Sequence, residues 1–343
     1  MKRRNILVVL IAVLIALTMF GCSKKEESAS SSSSTAKVET TRINLDMPVP
    51  LSSSWGVGAE TFAKEIYEKT GGRYEVRIYP DSQLAGGSQS KALEMLQAGD
   101  IDVTLHGVLT WASGDVRIGM PSMPWLFSGW EDALTKMNGE GGEMIKDIVE
   151  ETGAHALAFG ISGFRQLFNN VRPVAHPDDL YGIKIRVPGN PIYVDLFKLL
   201  GADPVTMNAS ELYTALAQGA VDGQENPADM TITQKFCEVV KYMTVWNYSC
   251  EPIILSVSQK LWSSLSDEDK VIFEEAAKVA CQAQAKAAEE RDAGYMDQLI
   301  NEFNIEPTYL TDDELEAFKE AAMPIYESYR ETMGEELYSA FGL

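Results

Sequence analysis

The chain has 343 residues, 45% of them apolar and 23% charged, the balance of a folded globular protein, which excludes wholesale disorder. Its length suggests about two domains. With 29 basic against 50 acidic side chains the formal net charge is −21, so the surface repels phosphate backbones and nucleic-acid binding is set aside.

Lys2, Arg3 and Arg4 open the chain, followed by an apolar run from Ile6 to Phe20. That run is shorter than the roughly 20 residues a membrane span needs. A basic start, a short apolar core and then small residues are the layout of an export signal. The run ends at Met19-Phe20-Gly21-Cys22, where Gly followed by Cys resembles the lipobox of bacterial lipoproteins. The resemblance implies that residues 1–21 are a lipoprotein signal peptide and that Cys22 carries the lipid. An uncleaved membrane anchor is the alternative, and both place the remaining chain outside the cytoplasm. Residues 22–40 are polar and Ser-rich, without apolar periodicity, and read as a flexible tether.

Alternating strands are predicted at residues 41–47, 74–79 and 101–105. Between them lie two helical stretches. One carries Ala59, Phe62, Ala63, Ile66 and Tyr67 on one face, and the other runs through Leu93 and Leu96 to Gly99. This β-α-β-α-β order implies parallel strands with right-handed crossovers. Further strands are expected at 156–160 and 183–187, and helices at 194–200 and 211–218. Two extended segments are expected around Pro252, a long helix from Ser266 to Asn304, and a last helix over 312–335.

The three cysteines beyond Cys22 are Cys237, Cys250 and Cys281, with no CxxC. They are expected to be mostly buried apolar residues, with a disulfide between two of them left open. His106, His155 and His176 are far apart and lack metal spacing, so no metal and no cofactor is expected.

Four segments in fixed order carry a family signature. They are Gly163-Phe164-Arg165-Gln166 with Asn169-Asn170, Asp179 to Pro188 (DLYGIKIRVP), Glu211 to Leu216 (ELYTAL), and Val221 to Pro227 (VDGQENP). Together they resemble the solute-binding subunits of tripartite ATP-independent periplasmic (TRAP) transporters, the DctP-like family. The likeness runs from about residue 42 to 330.

The resemblance implies an α/β fold, a two-lobe periplasmic-binding-protein clamshell. Its lobes interleave, with crossing strands and a long lobe-spanning helix. Lobe I is expected over 41–162 plus about 252–290. Lobe II, with the C-terminal helices, is expected over 163–251 plus about 291–343. The implied role is capture of a carboxylate-bearing organic acid and its delivery to small and large membrane permease subunits. Dicarboxylates, keto acids and sugar acids all satisfy that description. The lipid anchor would hold the protein at the membrane.

Arg186 ends a predicted strand in an apolar Ile-Arg-Val-Pro setting, where a guanidinium is costly unless paired. An internal ion pair is one reading. The resemblance makes Arg186 the clamp for a ligand carboxylate, because a planar fork fits that group bidentately. Arg165 falls at the family's second pocket arginine, with an ion pair as the alternative. Asn226 matches a ligand- or clamp-contacting position, or is a turn residue. Gln89 and Ser54 each stand at a helix start, where they could meet the ligand or serve as caps. Trp125, Trp246 and Tyr248 are expected near the hinge, walling the pocket or filling core. Tyr248 replaces a common histidine, Ala209 replaces an aromatic, and Gly107 stands where some relatives have a polar group.

A sensory input module with the same site is an alternative function. An exported enzyme is less favoured, since GxSxG, Cys/His pairing and metal clusters are all missing from the sequence.

Overall fold

The computed structural model describes residues 40–343. The proposed leader, Cys22 and the tether up to residue 39 lie outside the described residues.

Eleven strands form two sheets among these residues. They are β1 (Thr41–Asp46), β2 (Tyr74–Tyr79), β3 (Val103–Gly107), β4 (Ala154–Phe164), β5 (Gln166–Asn169), β6 (Lys184–Val187), β7 (Asp203–Thr206), β8 (Gly223–Asn226), β9 (Tyr242–Val245), β10 (Cys250–Ser258) and β11 (Glu306–Tyr309). The first sheet has the order β2-β1-β3-β10-β4, and the second β11-β9-β5-β8-β6-β7. β1 pairs in parallel with β2 and β3, as the alternating strand-helix order requires. β10 enters between β3 and β4, antiparallel to both. This is an α/β fold of two lobes, one built on each sheet.

The chain changes sheet at two adjacent places. Phe164 still pairs with Cys250 in the first sheet, whereas Gln166 pairs with Asn226 in the second. Arg165 is the single residue between β4 and β5, and its backbone N–H donates to Ser249 O at 2.8 Å. The return crossing is the segment 246–249 between β9 and β10. The extended break therefore falls before Cys250 and not around Pro252. Pro252 lies inside β10 at a register shift, where its missing N–H is tolerated.

The helix Ser54–Lys69 starts at the N-cap Ser53 and buries Ala59, Phe62 and Ile66. The helix Gln89–Ala98 starts at Ser88 and stops at Gly99, whose φ of 76° is the left-handed region that glycine enters freely. The long helix is Asp267–Asn301, capped by Ser266, with three acidic residues in its first turn opposing the helix dipole. Its buried stripe is small through Ala276, Ala277, Ala280, Ala285 and Ala288, so it lies close on its neighbours. Phe273 and Ala280 sit in a core with the helix Ser54–Lys69, while Leu299 sits in another with Phe168 and Met243. One rigid element thus serves both lobes.

The terminal segment is not one helix. Pro324 lacks the N–H that would continue it, and the chain forms Asp312–Ala322, Pro324–Met333 and Glu335–Ala340. These helices reach the rest of the fold through Tyr326 Oη, which donates to Pro124 O at 2.6 Å, and Tyr329 Oη, which donates to Asp195 Oδ2 at 2.7 Å.

Candidate functional site

β3 ends at Gly107, β10 begins at Cys250, β8 ends at Asn226, and Arg186 is the third residue of β6. These strand ends bring charged side chains of both sheets together. Ligand sites in open α/β sheets gather beyond such ends.

Arg186 is 2% exposed. Its Nε and Nη2 both donate to Met207 O, at 3.0 and 2.8 Å. It forms no ion pair among the described residues, and its Nη1 donates to none of them. Burial pushes the guanidinium down to about 10, with Arg165 adding repulsion and Glu225 and Glu251 partly restoring the charge. A buried cation held by one carbonyl is a poised anion receptor.

Arg165 has the opposite surroundings. Its Nε pairs with Glu225 Oε2 and its Nη1 with Glu251 Oε2. Its Nη2 donates to Glu225 O at 2.6 Å, Glu225 Oε1 at 3.0 Å and Asn226 Oδ1 at 2.9 Å. Burial alone would favour the neutral form, but the two glutamates outweigh it and hold the guanidinium well above its ordinary value. Each guanidinium nitrogen already has a protein acceptor. The ion pair weighed for this residue is what the structure contains.

Asn226 is committed in the same network, accepting from Arg165 and donating its Nδ2 to Gln224 Oε1. Tyr248, fully buried, donates its hydroxyl to Glu225 Oε2 at 2.6 Å. Burial and the neighbouring Glu225 raise that phenol well above its usual range, so it remains a donor.

Trp125, Trp246 and Tyr248 form one aromatic cluster with Phe197 and Phe318 at the strand crossing. Trp125 N–H donates to Tyr248 O at 2.6 Å, and Trp125 Nε1 to Trp246 O at 3.2 Å. Trp125 and Trp246 border a groove of about 720 Å³ with Asp292 and Lys319. That groove shares no lining residue with a smaller cavity at Met207.

This second cavity, about 190 Å³, contains Gln89, Ser90 and Thr110 from one lobe and Gly189, Thr206, Met207 and Asn208 from the other. Gln89 thus shares a cavity with Met207, whose carbonyl holds Arg186. Across the same cleft, Ser210 Oγ donates to Gly87 O at 3.1 Å. Ser54 is occupied elsewhere: its N–H and Oγ both donate to Asp229 Oδ2, at 2.8 and 2.6 Å.

Two functional groups have no role in the sequence reading. Glu225 stands within the quoted VDGQENP block, and Glu251 within the run Cys250 to Leu255. For Glu251 a carboxylate in an otherwise uncharged, largely apolar strand was the available signal, since such a charge is not buried without a partner, whereas the polar Gly-Gln-Glu-Asn strand gave none for Glu225. Cys237, Cys250 and Cys281 are buried free thiols. Among the described residues there is no cluster of metal-ligating side chains, and no helix is long and apolar enough to cross a membrane.

Residues 46–332 match the family model described as bacterial extracellular solute-binding protein, family 7 (DctP). A solute-binding protein of Verminephrobacter eiseniae is 33% identical over 265 residues, covering 76% of each chain. A TRAP periplasmic solute-binding protein of a Polaromonas species, solved bound to D-erythronate, is 30% identical with a TM-score of 0.84, covering 88% of this chain and 99% of that one. Another from Sulfurospirillum deleyianum, with bound succinate, is 28% identical with a TM-score of 0.82, covering 88% and 97%.

Proposed function

The chain belongs to the DctP family of bacterial extracellular solute-binding proteins, and from that premise we propose that it captures an organic acid by its carboxylate and delivers it to a TRAP permease in the membrane. The observation that carries the reading is Arg186: a buried guanidinium, free of carboxylate partners, with one nitrogen that donates to none of the described residues. A ligand carboxylate supplies the missing counter-charge in a bidentate or end-on pair. Neighbouring Gln89 and Asn208 offer polar contacts from the two sides. Arg165, Asn226 and Tyr248 support the site by fixing Glu225 and Glu251, and Trp125 and Trp246 pack the crossing behind them.

Ligand capture is a shift of population toward the closed arrangement of the lobes, driven by contacts that exist only when both lobes touch the ligand. The proposed role involves no bond making or breaking in the ligand. Cys22 is the proposed lipid attachment point, holding the mature protein at the outer face of the cytoplasmic membrane. Radiolabelled fatty acid should enter the wild-type protein and not Cys22→Ala, whereas equal labelling refutes the anchor.

Thermal-shift titration against a panel of organic acids tests the main reading. A ligand at 100 times its Kd adds about 2.7 kcal/mol of stability. An Arg186→Ala protein that still binds within about threefold of wild type would remove the clamp, because loss of a buried charged contact costs about 2–5 kcal/mol.

A further inference from the structure

Glu251 is the second residue of β10, buried, in a strand of otherwise uncharged side chains. Its Oε2 pairs with Arg165. Its Oε1 accepts no hydrogen bond among the described residues. A Cβ at Gly107 would lie 2.6 Å from that oxygen, and Trp55 Cη2 is 3.6 Å from the same point. The glutamate therefore fills the space that a side chain at 107 would take, at the end of β3, with an oxygen that no described residue donates to.

Arg165 is paired with Glu225 and Glu251, whereas Arg186 has no carboxylate partner among the described residues. Each of the other three acts on Arg186 through its field. One ligand carboxylate at Arg186 is compensated by that guanidinium. A second carboxylate on the same ligand would find Arg165 already paired and would meet Glu251. Like charges sharing a site cannot all ionise at little cost. A ligand hydroxyl, by contrast, gives Glu251 Oε1 the donor it lacks, and a hydrogen bond to a charged acceptor is among the stronger ones. An ammonium would also satisfy that oxygen, but it would stand beside the Arg165 guanidinium, which shares the same carboxylate.

We infer that Glu251 selects the end of the ligand remote from Arg186, and that the ligand is a hydroxylated monocarboxylate, a hydroxy or sugar acid, and not a dicarboxylate. The inference rests on the proposed organic-acid binding function. Gly107 belongs to the same device, because any side chain there would displace the selecting carboxylate.

The test is calorimetric titration of the wild-type protein with D-erythronate, D-galactonate and D-glucuronate on one side, succinate and fumarate on another, and L-glutamate and glycine as amino acids. Expected is binding of at least one hydroxy acid, with succinate and fumarate at least a hundredfold weaker. In Glu251→Gln, which keeps the size of the side chain and removes its charge, that ratio should fall at least tenfold; circular dichroism checks the fold. Tighter wild-type binding of a dicarboxylate or an amino acid overturns the inference and leaves organic-acid binding standing. An unchanged ratio in the variant overturns the role of Glu251. Binding of none of these acids overturns both readings together. The wild-type comparison needs no variant, so a misfolded Glu251→Gln protein does not remove the test.

Discussion

Arg165 and Arg186 are both almost fully buried, yet Arg165 meets two carboxylates and Arg186 only the carbonyl oxygen of Met207. The two guanidiniums thus divide the work. One stitches the strand crossing together, and the other is left short of a counter-ion. A buried charge without a partner is costly to the empty protein, and this cost is relieved when an anion arrives.

Unequal stability losses should follow in the ligand-free protein. Arg165→Ala leaves Glu225 and Glu251 buried without their cation and should lose about 3–5 kcal/mol or fail to fold. Arg186→Ala removes a charge that has no carboxylate partner and should lose less than half as much. Urea denaturation of the two apo proteins measures this directly. Equal losses would contradict the division of roles.

Ser54 was a candidate ligand contact, and its hydrogen bonds to Asp229 give it a structural role. Ser54→Ala keeps the backbone N–H bond but loses the hydroxyl. Expected is a loss of about 1–2 kcal/mol in stability, with ligand affinity changed less than threefold once the fold is intact. A tenfold loss of affinity with unchanged stability would return Ser54 to the ligand.

Tyr248→Phe tests the network around Glu225 in the same way. Its hydroxyl bond of 2.6 Å disappears while the ring packing remains. Glu225 is then short one donor, and stability should fall by about 1–3 kcal/mol. A melting temperature equal to that of wild type would show that the hydroxyl contributes nothing.

Asp292 supplies a pH test. Burial, with Asp229 nearby, raises its carboxyl to about 6, above the roughly 3.9 of an unfolded aspartate. The native state therefore binds this proton more tightly than the unfolded chain. The stability it contributes is complete below about pH 4 and is lost as pH rises through about 6. Asp292→Asn cannot ionise, so it should exceed wild type at pH 7.5 by on the order of 1–3 kcal/mol and lose that advantage below pH 4. Denaturation curves at the two pH values decide it, and an advantage independent of pH would rule out the titration.

Much of the first lobe could be read from residue order. Ser53, Ser88, Gly99 and Ser266 act within a few residues of themselves, and caps and apolar periodicity are local signals. The Ser266-capped helix was legible in extent for that reason. The break at Pro324 was a local signal passed over. The break between two extended segments was expected around Pro252 because a proline in a strand ordinarily marks its edge, and only pairing with β3 and β4 shows that this one sits inside β10 at a bulge.

The site divides along the same line. Sequence alone, through its ordered motifs, determined the family and marked Arg165, Arg186 and Asn226 as the residues to watch. It also determined that a charged group in an apolar strand needs a partner. Which partner it has was decided only by the fold. Arg165 meets Glu225 and Glu251 from 60 and 86 residues away, across two sheets, while Arg186 meets none. Ion pairing depends on distance in space, and no local pattern encodes distances between residues so far apart along the chain. The tertiary structure therefore decided which arginine is paired within the protein and which has no carboxylate partner there.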